Sequence, residues 1–311
     1  MRALRVLSVA AAALALVVVV VGAYVRLSDA GLGCPDWPLC YGRPLPADIA
    51  DAGAHARAWK EMGHRYLAGT LGLVILALAV AAWRARRSRG LAAAIVLLVA
   101  FQATLGKWTV TMLLKPAIVT AHLAGGMATL ALLVWLALSQ WPHAAHPGMR
   151  ALRRVAALAL AALAVQIALG GWVSANYAAL ACPELPLCRG QLVPPMDFGN
   201  AFHVVRELGR TGEGELLPLE ALTAIHWTHR LFALVVLAVV LVAAARAWRA
   251  VPALGAVLGA LIVVQFGLGV ANVALGLPLG LAAAHNAGAA LLCVSLVVLN
   301  FFAFRGLRPS W

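Results

Sequence analysis

Four histidines stand out: His64, His122, His229 and His285 each fall just inside the same end of an apolar segment. An ionisable side chain is costly at that depth and marks a function with a nameable partner. They come in two pairs, separated by 58 and 56 residues. Imidazole is a common axial ligand of haem iron, and helical bundles build such sites from side chains on facing helices. A lone intramembrane histidine would as readily hydrogen-bond a neighbouring helix, but two equivalent pairs favour ligation. The spacing therefore predicts two bis-histidine haem sites, His64 with His122 and His229 with His285. Gly125 and Gly126, and Gly288 and Ala289, would let a flat macrocycle approach the helix backbone.

The two candidate sites differ in their surroundings. Glu61 precedes His64 by one helical turn and faces the same way, whereas His226 holds that position before His229. Glu61 reads either as an interfacial ion pair with Arg65 or Lys60, or as an acid/base or charge-stabilising group beside a reacting molecule. Lys107, Arg65 and Arg230 are candidate partners for haem propionates, which demand cations when buried. Val270 replaces Lys107 in the second half, which again singles out the first. His226 competes with His229 as a ligand, but the Arg that follows His64 recurs after His229. His55, His203, His143 and His146 fall in loops and read as solvated.

These residues must be positioned by membrane helices. Hydrophobic residues make up 64% of the 311-residue chain and charged residues 11%, with a mean hydropathy of +0.93; a soluble domain carries about 25% charged residues. Eight apolar stretches are long enough to span a bilayer: 7–25, 62–83, 91–113, 117–140, 155–174, 223–245, 252–276 and 279–303. The first follows Arg2 and Arg5 like a signal peptide, but it is longer than a signal core and pairs with the fifth segment. The fold class expected is all-α, with eight transmembrane helices in two tandem four-helix bundles. At 1.5 Å per residue the four histidines share one layer about 5 to 12 Å below the outer surface.

The net charge of +13 reflects topology rather than a nucleic-acid partner. Thirteen cations fall on one set of loops and termini, while the other 11 cations and all 11 acidic residues lie in or beside the alternate loops. The positive-inside rule then puts both termini in the cytoplasm. Cys34, Cys40, Cys182 and Cys188 lie on the outer face, where disulfides persist, so Cys34–Cys40 and Cys182–Cys188 are the expected pairs. Five intervening residues are too many for ordinary structural zinc; reactive thiols are the remaining alternative. Cys293 is mid-helix and reads as a packing residue.

The chain is internally duplicated. "CPDWPLC" at 34–40 repeats as "CPELPLC" at 182–188, and 101–126 aligns without a gap to 264–289, matching Gln102 to Gln265 and His122 to His285. Gly22, twelve residues before Cys34, pairs with Gly171, eleven before Cys182. The expected halves are 1–146 and 147–311. Four helices per half keep both in the same orientation, so the repeat axis should run along the membrane normal. The longer outer loop of the second half, 174–222, reads as an outer cap or substrate-side lid.

The stretches "GAYVRLSDAGLGCPDWPLCYG", "EMGHR", "TAHLAGG", "GGWVSANYAALACPELPLCRG", "IHWTHR" and "AAHNAGA" resemble the CtaA-type haem A synthases over essentially the whole chain. The resemblance implies oxidation of a ring methyl of haem O to a formyl group, through successive hydroxylations, to give haem A for a terminal oxidase. It implies haem b on His229 and His285, substrate haem O at His64 and His122, and Glu61 as the catalytic acidic residue. A bacterial inner-membrane location follows, with the cysteine loops outside. Expected partners are membrane lipid, haem O synthase and oxidase assembly factors, with a homo-oligomer also compatible and no nucleic acid. The competing classes are a dihaem b-type electron carrier, which leaves Glu61 and the Lys107 asymmetry unexplained, and a haem transporter or chaperone, which would pass haem through unmodified.

Overall fold

The computed structural model describes residues 2–47, 49–143 and 148–305. The boundary expected between the halves, and His146, lie outside the described residues. Eight long helices dominate: α1 (Arg2–Leu27), α2 (Ala52–Arg84), α3 (Arg89–Thr111), α4 (Pro116–Ser139), α5 (Arg153–Ala175), α6 (Leu219–Ala250), α7 (Pro252–Ala274) and α8 (Leu279–Arg305). All are long and apolar enough to cross a membrane. A helix satisfies its backbone N–H and C=O groups internally, as a chain in hydrocarbon must. The protein is thus an all-α, multi-pass membrane protein; its described β-pairing is confined to isolated bridges in loops.

The helices follow the apolar segments with extensions at several ends: α1 starts at Arg2 rather than 7 and α6 runs to Ala250 rather than 245, and two more extensions lie at the cysteine-loop end. α2 starts at Ala52 rather than 62, and α6 at Leu219 rather than 223. The extra turns of α2 carry Arg57, Lys60 and Glu61, which lower hydropathy without disfavouring a helix. Asp51 caps the new start by accepting a hydrogen bond from Ala54 N–H at 2.6 Å. His64 therefore sits about three turns into its helix rather than at the tip.

Within the first half α1 and α3 each pack against both α2 and α4, which closes a ring with α2 and α4 at opposite corners. The second half repeats this, with α6 and α8 opposite one another. Each ring has its own core. One is built from residues such as Ile75, Leu78, Ile95, Leu130 and Leu133, the other from Leu163, Val240, Leu258, Leu292 and Leu296. Leu73, Leu97 and Leu158 face outward, since lipid imposes no penalty on an exposed leucine. What distinguishes the inward faces is small size: Ala11, Ala15, Ala82, Ala156, Ala159, Ala243 and Ala247 are fully buried. Such residues let helix backbones approach closely.

The halves meet through α4 with α5 and α8, and through α1 with α8. At the cysteine-loop end of this seam Arg26 donates to the Ser174 carbonyl at 2.7 Å and lies over the Tyr177 ring, while Tyr177 donates to Asp29 at 3.1 Å. The α3–α4 and α7–α8 turns are near copies. Leu114 N–H donates to the Thr109 carbonyl at 2.9 Å, and Leu277 N–H to the Asn272 carbonyl at 2.7 Å. At the opposite end His143 departs from the solvated reading. It packs edge-on against Phe301 and Phe302 at 5.3 and 5.2 Å, because the chain after α4 folds back over the end of α8.

Candidate functional site

The ring arrangement brings His64 on α2 and His122 on α4 toward one another across the first bundle, close enough to interact electrostatically. His229 on α6 and His285 on α8 come close enough to interact in the same way in the second. Each imidazole lies against a glycine of a neighbouring helix. A Cβ added at Gly22 would fall 2.7 Å from the His64 ring, at Gly106 3.3 Å from His122, at Gly170 3.1 Å from His229, and at Gly269 3.3 Å from His285. Four rings on four glycines is the clearest expression of the duplication at the site.

This corrects the glycine pairing read from sequence. Gly170, twelve residues before Cys182, is the structural counterpart of Gly22, whereas Gly171 faces Thr120 and Leu123 of α4. The glycines after the α4 and α8 ligands also have another task. Gly125 makes room for Gln102, and Gly288 for Gln265, so glutamine side chains occupy the space expected to admit a macrocycle. A long polar side chain from the adjacent helix fits only where Cβ is missing.

The donor set suits haem iron. The macrocycle brings four equatorial nitrogens and needs two axial ligands, which an opposed imidazole pair supplies. No group of three or more His, Cys, Asp or Glu able to hold a bare metal ion occurs among the described residues. Nδ1 of His64, His122 and His285 is buried without a hydrogen-bond partner, whereas Gln166 N–H approaches His229 Nδ1 at 3.2 Å and donates to the His229 carbonyl at 3.1 Å.

Above each pair sits a disulfide-closed knot, Cys34–Cys40 or Cys182–Cys188, with Cα–Cα separations of 4.8 and 4.6 Å. The first cysteine of each knot is tied to the helix beneath. Cys34 N–H donates to Glu61 Oε2 at 2.9 Å, and Cys182 N–H to His226 Nδ1 at 3.2 Å. Tyr41 and Gly42, and Arg189 and Gly190, all adopt positive φ, the signature of a type I′ turn. The tips then close alike: Cys40 pairs with Arg43, and Cys188 with Gln191. An acidic side chain caps each turn, with Asp36 accepting from Tyr41 and Gly42, and Glu184 accepting from Gly190.

The cations expected near propionates serve the knots. Arg65 pairs with Glu61 and donates to the carbonyls of Asp36 and Leu39 at 3.0 and 2.8 Å. Arg230 donates to the carbonyls of Cys182 and Glu184 at 2.8 and 2.7 Å. Lys107 lies over the Trp37 ring at 5.8 Å. The second half has Val270 and Leu185 at the two matching positions, so the cation and its aromatic partner change together. Glu61 is buried, with one carboxylate oxygen on Arg65 and the other on the Cys34 N–H, so the ion pair with Arg65 is formed and the carboxylate is turned to the knot.

The long loop between α5 and α6 caps its own half rather than the first. Ala201 packs with Trp172, Ala178, Ala221 and Ile225 of the second half, and the Trp172 indole donates to the Ala201 carbonyl at 2.8 Å. Lys115–Glu207, at 2.8 Å, links it to the first half. Burial of Arg206 beneath this loop pulls its guanidinium below the usual value. Asp197 starts the loop's short helix, Phe198–Ala201; the Asn200 N–H groups hold its carboxyl below the ordinary range.

Comparison with known proteins decides the family. The description "COX15-CtaA: Cytochrome oxidase assembly protein" matches residues 5–297. The chain belongs to this family. A protein of Shewanella oneidensis named "Heme A synthase" is 41% identical over 309 residues, covering 93% of each chain. One of that name from Caulobacter vibrioides is 30% identical over 338 residues, covering 96% of this chain and 94% of its own. Another, from Halalkalibacterium halodurans, is 31% identical over 226 residues, covering 69% and 72%.

Seen as a COX15-CtaA protein, the chain gathers its four histidines, Glu61, the arginines and the cysteines into two like clusters at one end of the helices. Sequence reasoning missed Gln166, and it gave Gln102 and Gln265 no role beyond marking the repeat. A polar residue on an otherwise apolar segment was the available signal. His55 and His203 stay outside the clusters, with His55 accepting from the Trp59 indole at 2.9 Å.

Proposed function

We propose that the protein oxidises a ring methyl of haem O to a formyl group, yielding haem A for a terminal oxidase. The name its relatives carry supports this, and the observation that carries it is the two interacting imidazole pairs with an acidic residue one helical turn from a ligand in only one of them. In this reading 1–146 is the substrate half, with haem O between His64 and His122, and 147–311 holds haem b between His229 and His285. The protein sits in the bacterial cell membrane with the knots outside and both termini inside.

If water is the oxygen donor, conversion of methyl to formyl, through two hydroxylations and loss of water from the hydrated aldehyde, releases four protons and four electrons that must pass to an external oxidant. If dioxygen is the donor, one histidine must leave the substrate iron. Bound between His229 and His285, haem b would supply one-electron redox chemistry. The protein's own contribution is positional. His64 and His122 orient the substrate, and the bundle walls exclude bulk water. Glu61 is the one acidic side chain a turn from a ligand, placed to take up a proton or to stabilise positive charge on the reacting edge. Arg65 holds that carboxylate in place, and the Cys34 knot covers it.

The test is coexpression with a source of haem O, followed by haem extraction and chromatography. Wild type should yield a formyl product and Glu61→Ala should not; identical profiles with no formyl product would refute the enzyme. A dihaem carrier would yield two b haems without product, and a transporter unmodified haem O. His285→Ala should abolish the stable b-haem spectrum, while His64→Ala should chiefly stop conversion. Equal loss of one bound haem in both would overturn the division between the halves.

A further inference from the structure

The two sites differ at one place that the chemistry above leaves unused. Gly22 and Gly170 occupy equivalent positions against the His64 and His229 rings, so the residues four earlier on α1 and α5, one turn toward the other end, are equivalent too. These are Val18 and Gln166. The Gln166 amide nitrogen lies 3.2 Å from His229 Nδ1, 3.4 Å from His229 Nε2 and 3.1 Å from the His229 carbonyl, and the amide Oε1 is buried without a partner. Nothing equivalent reaches His64, whose Nδ1 is buried and alone. His122 and His285 do not break the symmetry, since Gln102 and Gln265 sit at matching positions beside them.

We propose that Gln166 is a positioning residue that locks His229 as a permanent ligand, and that Val18 in its place leaves His64 the releasable ligand of the exchanging site. This rests on the two-site reading above. An iron-bound histidine needs an acceptor for its remaining ring N–H, and that partner fixes tautomer and orientation. Amide oxygen and nitrogen differ only by a rotation of the terminal group. Turning the Gln166 amide and shifting it off the His229 carbonyl would exchange the bond to that carbonyl for one from the His229 Nδ1–H to the orphaned Oε1, leaving His229 Nε2 with its lone pair for iron. The isopropyl group of Val18 offers His64 no such acceptor, so that ring is free to swing. A cofactor site is served by a locked ligand, whereas a site that admits haem O and discharges haem A needs one that lets go.

The test uses full-length protein in detergent, in a His122→Ala background so that the bound haem reports on the second pair. Haem loss to excess apomyoglobin is followed at the Soret band, with midpoint potential and ferric EPR g values recorded alongside. Gln166→Leu keeps the bulk but removes the acceptor, and should speed haem loss by about 10- to 100-fold. Gln166→Glu restores an acceptor of the same reach. It should return the loss rate toward that of Gln166 and lower the potential, because a carboxylate makes the ligand more basic. A merely structural role predicts that Glu, a buried charge, is at least as harmful as Leu and that the g values stay fixed. If Gln166→Leu fails to fold, the potential and g values of Gln166→Glu still decide. Unchanged loss rate, potential and g values in both variants would overturn the inference alone. Loss of haem signal that is insensitive to His285→Ala would instead show that the second pair does not hold haem, and both readings would fall.

Discussion

The knot over the first histidine pair should depend on Glu61 in a way the second knot does not. Cys34 and Cys40 are fully buried, so a reductant reaches their disulfide only when the knot opens locally. In the closed state Cys34 N–H is buried on Glu61 Oε2 at 2.9 Å, and Arg65 bridges Glu61 to the knot's carbonyls. Glu61→Ala strands that N–H, at a cost of about 1–3 kcal/mol. Since about 1.4 kcal/mol is a factor of ten, opening should become roughly 5- to 150-fold more frequent. Arg65 keeps its carbonyl partners, so no further term is added. Glu61→Gln retains an acceptor for Cys34 and should stay within about twofold of wild type. The assay is dithiothreitol reduction, read by maleimide–polyethylene glycol labelling and mapped by peptide mass. Cys182–Cys188, tied to His226 instead, is the control within the same molecule. If Cys34–Cys40 were reduced equally fast in wild type and Glu61→Ala, the carboxylate would not be holding the knot. Measured beside haem conversion, Glu61→Gln separates the two roles: an intact knot with lost conversion assigns the charge itself to the chemistry.

Two further outcomes follow from geometry. A Cβ at Gly33 would fall 2.5 Å from the Arg57 carbonyl carbon of α2, backbone that cannot yield, so Gly33→Ala should cost about 1–3 kcal/mol in detergent unfolding. Gly267→Ala, with open space at the site, should gain about 0.5–1 kcal/mol; matching melts for the two would contradict this. Asp197, whose carboxyl is held below the ordinary value of 3.8, should cap its helix fully above that value and release it as the pH falls through the lowered one. Amide exchange at Asn200, corrected for intrinsic rates, should accelerate there in wild type and be pH-independent in Asp197→Ala.

Much of this molecule was legible in its sequence because lipid makes hydropathy decisive. The eight helices appeared within a few residues, and the misses at Ala52 and Leu219 came from polar first turns that leave the apolar band without ending the helix. The four histidines, Glu61 and both cysteine pairs were visible as breaks in apolar or loop patterns. Gln166 was passed over because its meaning depends on which helix lies opposite. Gly171 was paired with Gly22 because spacing alone does not decide between two adjacent glycines.

What the sequence determined by itself was what one-dimensional pattern sets: the spans and the pairing of the cysteines. The tertiary structure alone decided what each polar group touches. It put Gly170 rather than Gly171 behind His229, gave Glu61 and His226 the same duty toward their knots, turned Arg65 and Arg230 into loop clamps, and folded the long α5–α6 loop over its own half. The physical reason is that insertion into lipid selects segments by composition, whereas contact between helices depends on rotation and depth. Those are fixed by small-residue packing and by hydrogen bonds between residues far apart in the chain.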